Sequence, residues 1–241
     1  MGLATLTPPN AIGVAGQGTI TTSAFTPPDG TLVVLLIASG WSGGSGTVSF
    51  AVSDSGGHTW QRPITVTGTS SNGGTAAVAY YYFATSPGSI TVSVAFSGFA
   101  SGGGGRFMDI YLLTGANPNQ AGAGTGSANN TSNTTAATCS VTTTVNGSWV
   151  LGATSEPTGT RTWTANANSQ ISTSYADSTD ICYMGSFAGL FLTGTPGATI
   201  FGGTWNTAAQ SAVAAFEILP APLVAPKSLI AAKATVRSHR Y

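Results

Sequence analysis

Charge is what this chain has least of. Seven Lys/Arg and seven Asp/Glu make up 6% of its 241 residues, against about 25% in an ordinary soluble domain. A surface so poor in ions has little electrostatic self-repulsion and packs closely against neighbours. Its hydration falls to Ser, Thr, Asn and glycine amides. Histidine is nearly absent too: His58 and His239, with Cys139 and Cys182 far apart, stand in no zinc-ligand spacing. The two cysteines sit in apolar, strand-like contexts; a disulfide and two buried free thiols are both open, and a reducing cytoplasm favours the thiols. No basic leader precedes an apolar run near the start, and the first strongly apolar stretch, 31–39, comes too late for a signal and is too short to cross a bilayer. Without an export signal, the Asn-x-Ser/Thr sequons at Asn129, Asn130, Asn133 and Asn146 follow from a Thr/Asn-rich composition.

What charge there is lies unevenly. Residues 1–220 hold Arg62, Arg106 and Arg161 against Asp29, Asp54, Asp109, Glu156, Asp177, Asp180 and Glu217, a net of −4, while Lys227, Lys233, Arg237 and Arg240 give the last fifteen residues +4. An acidic body without a basic stripe speaks against nucleic-acid binding. Ala221-Pro222-Leu223-Val224-Ala225-Pro226 is a stiff, extended linker, because proline fixes φ and disfavours helix in the residue before it. Residues 227–241 then carry Leu229, Ile230, Val236 and Tyr241 among the basic side chains, as an extended arm or a short helix. Such a segment reads as a disordered basic tail or as an anchor, with apolar groups to bury and cations to pair with an acidic partner surface. The expected organisation is a body at 1–220 and a linker with an anchoring arm at 221–241.

The body reads as strand after strand. Runs rich in Val, Ile, Thr, Tyr and Phe, punctuated by Gly, Pro, Asn and Asp, fall at 19–25, 31–39, 47–52, 58–66, 76–85, 89–97 and 107–115. More follow at 139–145, 148–154, 161–164, 171–175, 181–191, 198–204 and 211–219. No segment before 220 has a convincing helical period, and abundant Gly and β-branched residues oppose one. The unbroken apolar run 31–39 predicts a central strand buried on both faces. Segment 47–52 predicts a hairpin with 58–66 through Ser53-Asp54-Ser55-Gly56-Gly57, and Asn146-Gly147 predicts another between 139–145 and 148–154. The polar, low-complexity stretch 116–137 predicts a long surface loop, and 211–219 a closing strand near the first. About a dozen short strands with Gly-rich connections imply an all-β, antiparallel β-sandwich that is jelly-roll-like.

Catalytic constellations are weak. Gly40-Trp41-Ser42-Gly43-Gly44 matches the G-x-S-x-G nucleophile elbow, but that device needs a following helix and a later acid and histidine, and here another strand-like run follows. Seven acids form no distinctive pair for glycoside hydrolysis. Asp54 suits an Asx turn, and Asp177 with Asp180 offers too few oxygens for calcium. Aromatic residues are the better candidates. Tyr80-Tyr81-Tyr82-Phe83 on a strand sends Tyr80 and Tyr82 to one face and Tyr81 and Phe83 to the other. Trp41, Trp60, Trp163 and Trp205 lie in or near turns, where flat rings stack on sugars. The candidate glycan-binding set is therefore Trp41, Trp60, Tyr80, Tyr82, Trp163 and Trp205, with core packing as the competing explanation for each.

Four phrases carry a resemblance: Ala24-Phe25-Thr26-Pro27-Pro28-Asp29-Gly30-Thr31-Leu32-Val33-Val34, Val52-Ser53-Asp54-Ser55-Gly56-Gly57-His58-Thr59-Trp60, residues 80–85, and Tyr111-Leu112-Leu113-Thr114-Gly115-Ala116. Together they resemble small β-sandwich proteins of tailed bacteriophages of actinobacteria, found among virion structural genes and described as minor tail or accessory proteins. The likeness spans roughly residues 20–155 and leaves the arm out. It implies a non-enzymatic virion protein without cofactor or metal, made in the host cytoplasm. Its partners would be capsid or tail subunits, further copies of itself and, on the rival reading of a carbohydrate-binding module, a host-surface glycan. Anchoring would fall to Lys227, Leu229, Ile230, Lys233, Val236, Arg237, Arg240 and Tyr241, on composition alone.

Overall fold

The apolar run that begins at Thr31 organises the fold. In the computed structural model, which describes residues 2–16, 18–40, 48–67, 74–98, 104–157, 161–177, 182–190 and 195–222, it forms a ten-residue strand with every position buried. Six consecutive apolar side chains, from Leu32 to Ile37, have no exposed surface. At roughly 1.5–3 kcal/mol each they contribute on the order of 10 kcal/mol, as much as the net stability of a typical domain. Turn chemistry sets where the run starts: Gly30 takes φ +70° after Asp29, a conformation glycine adopts without a Cβ penalty.

Fifteen strands occur among the described residues, without a helix, and every pairing is antiparallel. They are β1 (Ala4–Leu6), β2 (Ile12–Ala15), β3 (Gly18–Thr21), β4 (Thr31–Gly40), β5 (Ser49–Asp54), β6 (Gln61–Thr67), β7 (Thr75–Phe83) and β8 (Val92–Ser97). The rest are β9 (Gly105–Thr114), β10 (Thr125–Thr142), β11 (Trp149–Glu156), β12 (Trp163–Ala165), β13 (Gln170–Asp177), β14 (Cys182–Leu190) and β15 (Ala198–Ile218). The central sheet runs β1-β9-β4-β7-β6 with β2 also on β9; a second runs β10-β15-β11-β14-β13 with β12 on β15; a third is β3-β8-β5.

Alternation along β4 builds two cores from one strand. Leu32, Val34 and Leu36 face the second sheet, against Leu151, Ala214 and Phe216. Val33, Leu35 and Ile37 face the three-stranded sheet, against Ile20, Val92 and Val94. A third core, around Val150, Phe187, Phe201 and Trp205, lies within the second sheet's own strands. The all-β antiparallel sandwich and the doubly buried central strand stand as expected.

Several finer expectations do not. Strands β5 and β6 belong to different sheets, so 47–52 and 58–66 form a crossover rather than a hairpin. Asn146-Gly147 does reverse the chain, with Gly147 at φ +77°, but β15 lies between β10 and β11. A local turn signal carries no information about a strand inserted from seventy residues away. The stretch 116–137 is a turn only to 124; from Thr125 it is the long edge strand β10, whose polar side chains conceal a backbone ladder to β15. Segments 198–204 and 211–219 are one strand, β15, in the second sheet, whereas the first strand, β1, pairs with β9.

The two halves of the chain repeat one plan. Strand β4 lies between β9 and β7 with β6 outside, and β11 lies between β15 and β14 with β13 outside. Where β3-β8-β5 covers the first set, the end of β10, the beginning of β15 and β12 pair in the same order in the second. The register repeats as well. Leu32, two residues after turn glycine Gly30, pairs with Leu113 on one side and Tyr82 on the other. Trp149, two residues after Gly147, pairs with Ile218 and Leu190. Both Leu32 and Trp149 point into the core shared by the halves.

Candidate functional site

The tyrosine run on β7 alternates as its sequence predicts, but the central sheet is covered on both faces. Tyr81 and Phe83 turn toward the three-stranded sheet, where His58 lies 4.8 Å and 5.0 Å from their ring centroids. Tyr80 turns the other way and stacks on Phe216 at 5.4 Å and 7°. Tyr80 and Tyr82 remain half-buried, and line a surface cleft of about 470 Å³ with Thr59, Gln61, Pro118 and Asn119. Burial raises the Tyr80 phenol above its ordinary value, so it stays a neutral hydrogen-bonding group.

The wall opposite the tyrosines is rigid. Gln120 Nε2 donates to the carbonyls of Asn117 (2.6 Å) and Leu219 (3.2 Å), and its Oε1 accepts from the Leu219 N–H at 2.8 Å. Asn117 Oδ1 accepts from the Asn119 N–H at 2.9 Å, an Asx turn. The lining holds phenols, amides and a hydroxyl, without Lys, Arg, Asp or Glu. Such a surface suits a neutral, hydroxyl-rich ligand.

The tryptophans lie elsewhere. Trp60 is buried, and its indole N–H donates to Asp54 Oδ2 at 2.7 Å. Asp54 Oδ1 accepts from the Gly56 N–H at 2.7 Å and lies 2.9 Å from His58 Nδ1. Desolvation pushes that carboxyl up, but the hydrogen bonds from His58 and Trp60 outweigh it and leave the pKa below the ordinary value. The Asx turn expected at Asp54 is thus the hub of the β5-to-β6 crossover. Trp163 and Trp205 pair at 6.4 Å in the third core, 3% and 2% exposed. With their faces covered by protein, Trp60, Trp163 and Trp205 offer no stacking platform, which corrects the expectation for these three. Trp41, Ser42, Asp180, Lys227, Leu229, Ile230, Lys233, Val236, Arg237, Arg240 and Tyr241 lie outside the described residues.

Among the described residues three acids are buried, Asp109, Glu156 and Glu217, and two of them went unnoticed inside apolar runs of the sequence. Glu217 accepts from the Gly124 N–H (2.8 Å), the Thr144 N–H (2.7 Å) and the Thr144 hydroxyl (2.9 Å). Asp109 accepts from Ser186 Oγ (2.6 Å), Ser172 Oγ (3.1 Å) and the Ile110 N–H (2.9 Å). The signal was available: each is a single acid within an apolar run. Burial pushes the Asp109 carboxyl up, partly offset by the serines. Glu156 pairs with Arg161 at 3.3 Å, and Asp29 Oδ1 accepts from the Ser86 N–H at 2.6 Å.

Cys139 is buried and free, its thiol pushed by burial to about 12, so it stays protonated and unreactive. Among the described residues no three His, Cys, Asp or Glu side chains come together as a metal site, and no helix is long and apolar enough to cross a membrane. No protein-family description, curated protein or solved structure matches the chain.

Proposed function

We propose that this chain is a non-enzymatic bacteriophage virion protein, a jelly-roll-like sandwich displayed on the particle as a minor tail, host-contact, capsid-decoration or head-fibre subunit. The observation that carries the reading is the employment of its acids. Asp29, Asp54, Asp109, Glu156 and Glu217 are all tied to turns, strands or an internal ion pair. The acids at Asp29, Asp54, Glu156 and Glu217 therefore serve architecture. The jelly-roll-like description rests on the repeated strand order, with β6 beside β7 and β13 beside β14 instead of in the smaller layers.

On this reading the particle-facing end is the one where the body leads into the arm. The Ala221 N–H donates to the Gly115 carbonyl at 2.7 Å, so the chain enters the arm at the pole where β4 begins. The opposite pole gathers the strand ends flanking 41–47, 68–73 and 99–103, where β4 meets the start of β9 and β6 meets the start of β7. Attachment from the first pole would leave the strand ends of the second for display. Deleting residues 223–241 should leave a folded body that no longer joins the particle, read by immunoblot of purified virions. Undiminished incorporation would refute anchoring by the arm.

The second reading, a carbohydrate-binding module, has the Tyr80–Tyr82 cleft in its favour. A glycan array probed with the chain and with Tyr82→Ala tests it: binding to a neutral glycan that the variant loses supports it, and a blank array removes it.

A further inference from the structure

We infer that Asp109 forms the floor of a cation site that takes an alkyl ammonium group. Asp109 is 5% exposed as a residue, and the three donors on its carboxylate are two hydroxyls and one backbone N–H, all neutral. No Lys, Arg or His of the described residues comes within 4.0 Å of it. A buried carboxylate without a counter-charge is costly, and proteins relieve that cost with a paired cation or a dense shell of donors. The other two deeply buried acids follow this rule: Glu156 has Arg161, and Glu217 adds a Val145 N–H at 3.4 Å to the three donors above.

Asp109 opens instead onto a cavity of about 190 Å³, lined by Thr5, Leu6, Pro8, Ile110, Tyr111 and Ser172. Leu6 and Pro8 supply apolar wall for an alkyl stem, and Tyr111 lines the cavity beside its charged end. Ammonium fits better than guanidinium. One Asp109 oxygen already holds the Ile110 N–H and the other holds both serines. A planar fork needs two parallel acceptors, whereas a point charge needs one remaining lone pair. The group could arrive on a free alkylamine or on a lysine of another chain, a second copy included, since Lys227 and Lys233 carry it in the arm.

The full chain titrated with n-butylammonium, against n-butanol as the neutral isostere, tests the site by calorimetry. Saturable butylammonium binding at least tenfold tighter than butanol is expected. Asp109→Asn, which keeps an acceptor toward Ser186, should weaken it at least tenfold. Leu6→Trp fills the cavity without touching the carboxylate and should do the same, so the site stays testable if the first variant folds poorly. Equal affinity for butanol, or binding undiminished in both variants, would overturn the inference. Self-association that butylammonium competes away and Asp109→Asn abolishes would assign the group to a lysine of a second copy. Butylammonium binding without self-association would exclude a second copy and assign it to a free amine or to a lysine of a different protein.

Discussion

The two halves of this molecule solve one packing problem with opposite distributions of bulk. In the first, Leu35 on β4 pairs with Ala79 on β7, both facing the inner core. At the corresponding positions of the second, Gly152 on β11 pairs with Phe187 on β14. Large-beside-small has become small-beside-large, which keeps the filled volume while changing every side chain. Cores tolerate such exchange when volume is conserved and resist it when it is not. The repeat is therefore held by register and volume, with little left of residue identity.

Breaking the exchange at Gly152 should have the largest effect. A Cβ there would overlap Phe187 Cζ and stand 2.6 Å from the Ala214 carbonyl oxygen. Gly152→Val is expected to cost about 3–5 kcal/mol in urea unfolding. Adding Phe187→Ala should recover only part, because the carbonyl clash is backbone and stays. Full recovery would mean that the second half fills volume as freely as the first. The converse change is milder. Leu35→Ala leaves a cavity beside Ala79 and should cost about 3 kcal/mol, with Ala79→Leu in the same chain returning a portion of it.

The halves also differ in one buried charge. Leu112 pairs with Val33 in the first half, and Glu217 stands at the matching place opposite Val150. Burial pushes the Glu217 carboxyl up, but donors from Gly124, Thr144 and Ser148 outweigh it and hold the pKa below the usual 4.5. A depressed folded value stabilises fully above the unfolded value and is lost as pH falls through the folded one. Glu217→Gln should therefore cost about 1–3 kcal/mol at pH 7 and progressively less toward pH 3. Asp109 has the opposite sign. Its raised value makes protonation favour the fold, an effect complete below 3.8 and lost as pH rises through the folded value. Urea midpoints followed from pH 3 to 8 should bring both Glu217→Gln and Asp109→Asn closest to the parent at the acid end and part them from it in opposite directions toward pH 8, Glu217→Gln falling behind the parent and Asp109→Asn gaining on it.

How much of this was legible depends on whether the signal is local. Strand β4 is legible because burial on both faces demands an uninterrupted apolar run, which composition alone reveals. The alternation of Tyr80 and Tyr82 against Tyr81 and Phe83 is legible for the same reason, since a strand's period is fixed by its backbone. Strand β10 is not: Asn129, Asn130 and Thr134 look like loop, and what makes them strand is hydrogen bonding to β15. The burial of Trp60, Trp163 and Trp205 also escapes, because a turn-side position in sequence does not say which sheet closes over it. Asp54 becomes a hub only when the crossover brings Trp60 back onto it.

The smallest effect should come from the tyrosine cleft, where the halves share one register. Tyr82 pairs with Leu32 as Leu190 pairs with Trp149, and Tyr82 is half open to the cleft. Tyr80, two residues earlier, has one ring face closed by Phe216. Truncating a stacked ring removes area and an aromatic contact together, so Tyr80→Ala should cost about 2 kcal/mol or more. Tyr82→Ala removes a partly wetted side chain and should cost under about 1 kcal/mol. Comparable losses would make Tyr82 a continuation of the shared core, and the cleft a surface dimple. A clear gap between the two leaves Tyr82 as the side chain whose aromatic surface the fold itself does not need.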